Sequence, residues 1–87
     1  MNIEELGSKK ANEIINTREP KGLFLHQDGD GFVAIDNQDG RAWTEDFKNK
    51  EVAIKWLFGD IEVEEAYELD LEIETKKLIK GVKNNEK

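Results

Sequence analysis

Two turns, Asp28-Gly29-Asp30-Gly31 and Gln38-Asp39-Gly40, constrain this chain more than any other feature of its sequence. They divide its centre into three short runs: Gly22 to Gln27, Phe32 to Asn37 and Arg41 to Glu45. Each run carries aromatic or branched residues. Asp-Gly between such runs is a hairpin signal, because glycine reaches the positive φ that tight turns need. Two successive turns predict a three-stranded antiparallel meander. At strand period, Phe32, Ala34 and Asp36 share one face and Val33, Ile35 and Asn37 the other. Helices must cover at least one of these faces.

The flanks read as helical. Ile3, Leu6, Ala11, Ile14 and Ile15 recur at helical spacing, with Asn2 and Glu5 in a capping-box-like relation. Pro20 and Gly22 end that segment, which predicts a helix from about Ile3 to Thr17 despite Gly7. After the meander, Asn49 stands at an N-cap position and Val52, Ala53, Trp56 and Leu57 form an apolar stripe. Gly59 suits a left-handed end, so a second helix is predicted from Lys50 to Phe58. Trp43, Phe47 and Trp56 are the large residues expected to dominate the core, and Phe58 the one expected to be exposed.

The segment from Asp60 to Thr75 holds eight acidic residues and no basic one, more than the net charge of -7 of the whole chain. Apolar residues run through it, which separates it from a disordered acidic tail. Tyr67, Leu69, Leu71 and Ile73 alternate with acids at strand period. Against that, no Gly or Pro interrupts Ile61 to Lys80, Asp60 fits an N-cap, and Lys76, Lys77 and Lys80 suit a helix C-terminus. Helix is the favoured reading; a fourth strand over 67–75 is the alternative. The resulting expectation is an α+β fold in the order α-β-β-β-α-α, with helices packed on the meander. At 87 residues it forms one domain over 1–87, frayed from about residue 81.

Glu62, Glu64, Glu65, Glu68, Asp70, Glu72 and Glu74 are the candidate partner-binding residues. On a helix, Glu64, Glu68 and Glu72 stack at i, i+4, where like charges oppose folding. On a strand, Glu68, Asp70, Glu72 and Glu74 form a row spaced by about 6.6 Å, similar to phosphates along a nucleic-acid strand. The functional reading is a surface that engages lysines and arginines, as a mimic of nucleic acid. The competing reading is a solvated face that keeps a small protein soluble.

Other chemistry is thinly represented. Aligning Gly31 with the glycine of a calcium-binding EF-hand loop puts His26 first and Asn37 last, where acids are required, so a plain turn explains Asp28 and Asp30. His26 is the only histidine, Ser8 the only serine, and cysteine is absent. No nucleophilic triad or phosphate-cradling loop can be assembled. No enzyme activity, metal or cofactor is expected. The negative charge disfavours direct nucleic-acid or anionic-lipid binding, and no apolar run approaches a membrane span. A cytoplasmic location and a host protein with a basic surface are the corresponding expectations.

Three stretches, Phe32-Val-Ala-Ile-Asp-Asn37, Asp39-Gly-Arg-Ala-Trp-Thr-Glu-Asp-Phe47 and Glu51-Val-Ala-Ile-Lys-Trp-Leu57, give the block from Gly31 to Gly59 a resemblance. It resembles small uncharacterised proteins of phages and prophages in Gram-positive bacteria. That resemblance brings a setting but no activity and no functional residues. In architecture alone the chain is similar to a Cas9-inhibiting anti-CRISPR family, whose members occupy a nucleic-acid-binding surface with carboxylates. Together with the charge argument, this implies a small phage- or mobile-element-encoded inhibitor of a host nucleic-acid-binding or defence protein. The alternative is a structural or accessory phage module that self-associates.

Overall fold

Ile3 and Leu6, whose spacing fits a helix, lie instead in a strand. The computed structural model describes residues 2–85, with side chains as far as Ile79. It contains β1 (Ile3–Leu6), α1 (Ser8–Thr17), β2 (Gly22–Asp28), β3 (Gly31–Asn37), β4 (Trp43–Phe47), α2 (Lys50–Leu57) and α3 (Val63–Asn85). The sheet has four strands in the order β1-β2-β3-β4. β1 pairs in parallel with β2, and the two hairpins pair β2 with β3 and β3 with β4 in antiparallel fashion. A parallel neighbour needs a crossover between the strands, and α1 supplies it. The α+β class and the meander therefore hold. One expectation needs correction: the first helix does not begin at Ile3, because Ile3–Leu6 forms a fourth strand and α1 starts only at Ser8; residues 67–75 are helical, as the favoured reading had it, and not the alternative strand. The last two residues, on which part of the expected fraying falls, lie outside the described residues.

The sheet is buried on both faces. Phe24 and Ile35 meet Ala11 and Ile14 of α1, with Leu6 and Val33 beside them. On the other face Leu23, Leu25, Ala34 and Phe47 meet Val52, Ala53 and Leu57 of α2 and Ala66 of α3, with Ile3, Phe32, Leu69 and Ile73 packed against them. Ile3 and Leu6 thus point to opposite faces, as residues three apart do in a strand and not in a helix. Full burial of both faces accounts for the near-continuous apolar run Leu23-Phe24-Leu25, which a half-exposed strand would not need.

The turns work as their residues suggest. Asp28 pairs with Gly31 across the two-residue loop Gly29-Asp30. Gly29 has φ 63° and Asp30 keeps a negative φ, the pattern of a type II′ hairpin with glycine first. The longer β3–β4 loop is held from inside by Asn37, which is fully buried. Its Oδ1 accepts from the Ala42 N–H at 2.9 Å and its Nδ2 donates to the Pro20 carbonyl at 2.8 Å. These bonds secure Ala42 at φ 51°, a left-handed conformation that a residue with a Cβ avoids. Gly59 follows α2 as anticipated, its N–H donating to the Trp56 carbonyl at 3.0 Å.

Helix α1 starts at Ser8 with Gly7 as its N-cap, so the Asn2–Glu5 capping pair does not form; Glu5 instead pairs with Lys50 at 3.1 Å. Of the three large residues assigned to the core, Phe47 is buried and Trp56 half-buried, but Trp43 is 53% exposed. Phe58 is exposed as expected.

Candidate functional site

The acidic residues of α3 do not act as one surface. Ala66, Leu69 and Ile73 fix which side of the helix meets the core. At 100° per residue that choice also turns Asp70 inward and Glu74 half inward. Asp70 is 8% exposed. Its Oδ2 accepts from the Lys48 N–H at 2.8 Å, and its Oδ1 accepts from the Asn49 N–H and the Asn49 Nδ2, both at 2.9 Å. Glu74 accepts from Asn49 Nδ2 at 3.2 Å and pairs with Lys77, which also donates to Asn49 Oδ1 at 2.8 Å.

These two carboxylates therefore serve the fold. The first backbone N–H groups of a helix lack intrahelical partners, and Asn49, at the N-cap of α2, makes no side-chain cap of its own. Asp70 takes over one of those donors from 21 residues further along the chain. The candidate set is corrected accordingly: Asp70 is withdrawn from any docking surface and Glu74 largely so.

Glu62, Glu64, Glu65, Glu68 and Glu72 all remain exposed. Glu64, Glu68 and Glu72 follow one line along the outer side of α3, separated by about 6 Å per step. Of these five, only Glu72 has an ion-pair partner among the described residues, the exposed Lys76 at 3.4 Å, and such a pair contributes little. Leu71 and Leu78, 70% and 71% exposed, lie on the same outer side. Glu64 and Glu65 in the first turn also complement the helix dipole, which recovers part of their mutual repulsion.

Beside the start of α3 lies a groove that sequence reasoning did not find. Its volume is about 490 Å³, and its walls are Asp36, Trp43, Glu45, Trp56, Glu62, Val63 and Glu64. Asp36 and Trp43 are cross-strand partners at the end of the β3–β4 ladder, and Glu45 stands on the same side two residues on. Trp56 comes from α2, Val63 and Glu64 from the first turn of α3. Four carboxylates and both tryptophans of the chain converge there, with no basic residue in the lining. The only sequence signal was strand alternation, which puts residues 43 and 45 on one side; that Asp36 joins them follows from register.

Glu45, one of the groove's carboxylates, accepts from the Tyr67 hydroxyl. That bond, then partial burial and the Glu45 charge, push the Tyr67 phenol up to about 12. The folded state holds the proton more tightly than the unfolded chain, whose phenol titrates near 10. The contribution to stability is therefore complete below pH 10 and lost as pH climbs from about 10 to 12. Tyr67 is the only tyrosine, so phenolate absorbance reads it directly. We predict a midpoint near 12 that falls toward 10 in Glu45→Gln. A native midpoint near 10 would remove this contact from the site.

His26 takes a structural role: its Nδ1 donates to the Leu6 carbonyl at 3.1 Å, across the β1–β2 pair. Among the described residues, no three of His, Asp and Glu converge as metal ligands, and no helix is long and apolar enough to cross a membrane. No protein-family model, curated protein or solved structure matches the chain, so its site is defined by this geometry alone.

Proposed function

We propose that this protein acts by binding: the outer carboxylates of α3 dock onto a basic surface of another protein and occupy a place otherwise taken by nucleic acid. In the phage or mobile-element setting implied by the resemblance of Gly31 to Gly59, the partner is a host nucleic-acid-binding or defence protein, and the outcome is inhibition. The observation that carries this reading is the division of labour on α3. Asp70 and Glu74 have internal partners, whereas Glu62, Glu64, Glu65 and Glu68 have none among the described residues. The fold gains nothing from stacking Glu64, Glu68 and Glu72 at i, i+4, a spacing that costs a few tenths of a kcal/mol per pair. A line of charges about 6 Å apart does fit a surface that follows a phosphate backbone.

The test is capture of bacterial proteins that bind polyanions. Proteins retained on heparin are passed over the immobilised chain at low salt, then eluted with duplex DNA or with salt. The expected result is a retained fraction that DNA displaces and that is lost as salt rises from about 0.05 to 0.5 M, where the Debye length becomes shorter than the charge spacing. Retention that neither DNA nor salt reverses would refute the reading.

A second reading, self-association, draws on the exposure of Leu71, Leu78 and Ile79 along α3 and of Trp43 and Phe58 elsewhere. Sedimentation over a range of concentrations and salt separates the two, since association through these residues strengthens at high salt while charge docking weakens.

A further inference from the structure

We infer that the groove beside α3 is an arginine receptor: it takes a guanidinium side chain from the partner's basic surface, and takes it in preference to lysine. This inference rests on the docking reading above and specifies which residue type the partner inserts.

The argument starts from what the groove combines. Carboxylates alone would attract any cation. Here they surround indole faces: Trp43, 53% exposed on β4, and Trp56, half-buried on α2. Exposing half of a tryptophan at the open end of a sheet is unfavourable for the isolated chain, since the ring is the largest apolar body available to a small core. A cation over an indole face is attracted by the ring quadrupole, and most strongly once water is excluded. Guanidinium is flat and weakly hydrated, and it carries donors around its edge. It can stack on Trp43 while its N–H groups reach carboxylates at the rim. A lysine ammonium is compact and strongly hydrated, so it must shed more water for a single contact.

The acids are disposed for that geometry. One carboxylate oxygen of Asp36 accepts from the Gln38 N–H at 3.2 Å, and Glu45 accepts from Tyr67, so both are held in place by the fold. Glu62 and Glu64 have no ion-pair partner among the described residues and stand on the opposite wall. The groove thus offers two anchored and two unengaged carboxylates around aromatic faces. It opens beside the line of Glu64, Glu68 and Glu72, so one partner surface can lie along the helix and insert a side chain at its start.

Both tryptophans lie in the groove, so intrinsic fluorescence reports its occupancy. The experiment titrates the full chain with hexa-arginine and hexa-lysine peptides at low and moderate salt. Hexa-arginine is expected to perturb the emission and to bind about tenfold more tightly than hexa-lysine. In Trp43→Leu, with Trp56 as the remaining reporter, that preference should vanish, because hexa-arginine affinity falls to about that of hexa-lysine, which loses less. Trp43→Phe, which keeps an aromatic face on the strand, should retain part of it. Circular dichroism shows that each variant is folded. Equal, salt-dependent affinity for both peptides would overturn the arginine receptor and leave the acidic docking surface standing. An arginine preference that survives Trp43→Leu would overturn it too. Binding of neither peptide, or binding indifferent to salt, would bring down both.

Discussion

Replacing Asp70 by alanine is expected to destabilise this protein by about 3 kcal/mol or more, although it removes a charge from its most negatively charged segment. Two effects compete, with opposite signs. If Asp70 belonged to the outer surface, its loss would relieve like-charge repulsion from Glu74, its i+4 neighbour, and raise stability slightly. The observed geometry predicts the reverse. The carboxylate accepts three hydrogen bonds, from Lys48 N, Asn49 N and Asn49 Nδ2, at 2.8 to 2.9 Å. Alanine leaves two backbone donors unpaired, the Asn49 N–H buried and the Lys48 N–H partly so; the amide of Asn49 keeps Glu74. Each orphaned donor costs roughly 1–3 kcal/mol. A domain of this size has about 5–10 kcal/mol in total, so the variant should approach unfolding at moderate temperature. Asp70→Asn keeps one oxygen but turns an NH₂ group toward donors, and should lose about half as much. Glu72→Ala, on the outer side, should stay within about 0.5 kcal/mol of the parent. Thermal or urea unfolding measures all three, and an Asp70→Ala variant as stable as the parent would show that the α2–α3 junction is held by something else.

The same residue shows where a sequence stops being readable. Asp70 is one acid among eight between Asp60 and Thr75, and nothing local distinguishes it. What singles it out is the pairing of α3 with the β4–α2 junction more than 20 residues earlier, which is a tertiary event. The groove escaped for a related reason: Asp36, Trp43, Trp56 and Glu64 belong to four different elements and meet only through sheet register and helix placement. By contrast, the hairpins were legible because glycine at a tight turn answers a local steric demand, and Gly29 and Gly40 both take positive φ. Helix α3 was legible because helix formers run without a Gly or Pro through its first turns; its alternating apolar residues then part company, Leu69 and Ile73 inward, Leu71 outward. Strand β1 fell between the two cases. Four residues, Ile3-Glu4-Glu5-Leu6, carry the i, i+3 spacing of a helix and no strand alternation, and the free edge of β2 settles the matter in a way that local propensity cannot.

Reversing Glu68 to lysine should move stability and binding in opposite directions, which makes it the sharpest separation of fold from function available in this chain. Glu68 is exposed, at i+4 from Glu64 and four residues before Glu72. The substitution turns two repulsive pairs into two attractive ones, each step worth a few tenths of a kcal/mol. Helix α3 should gain about 1 kcal/mol, which in a domain of this size raises Tm by roughly 4–8 °C. For docking, the same change places a positive charge in the middle of the line that meets the partner's cations. An ion pair at about 4 Å is worth about 1 kcal/mol in water and several times that at a partly desolvated interface. Turning one such attraction into a repulsion should therefore weaken binding by at least about 30-fold at low salt, mostly through slower association. The DNA-displaceable fraction captured by the parent chain should be absent from Glu68→Lys, while the variant melts higher. A surface that existed only for solubility would show the first change without the second, because removing repulsion helps any solvated helix. Loss of binding alongside a gain in stability requires that the carboxylate line be maintained against the interest of the fold, for the sake of what it meets.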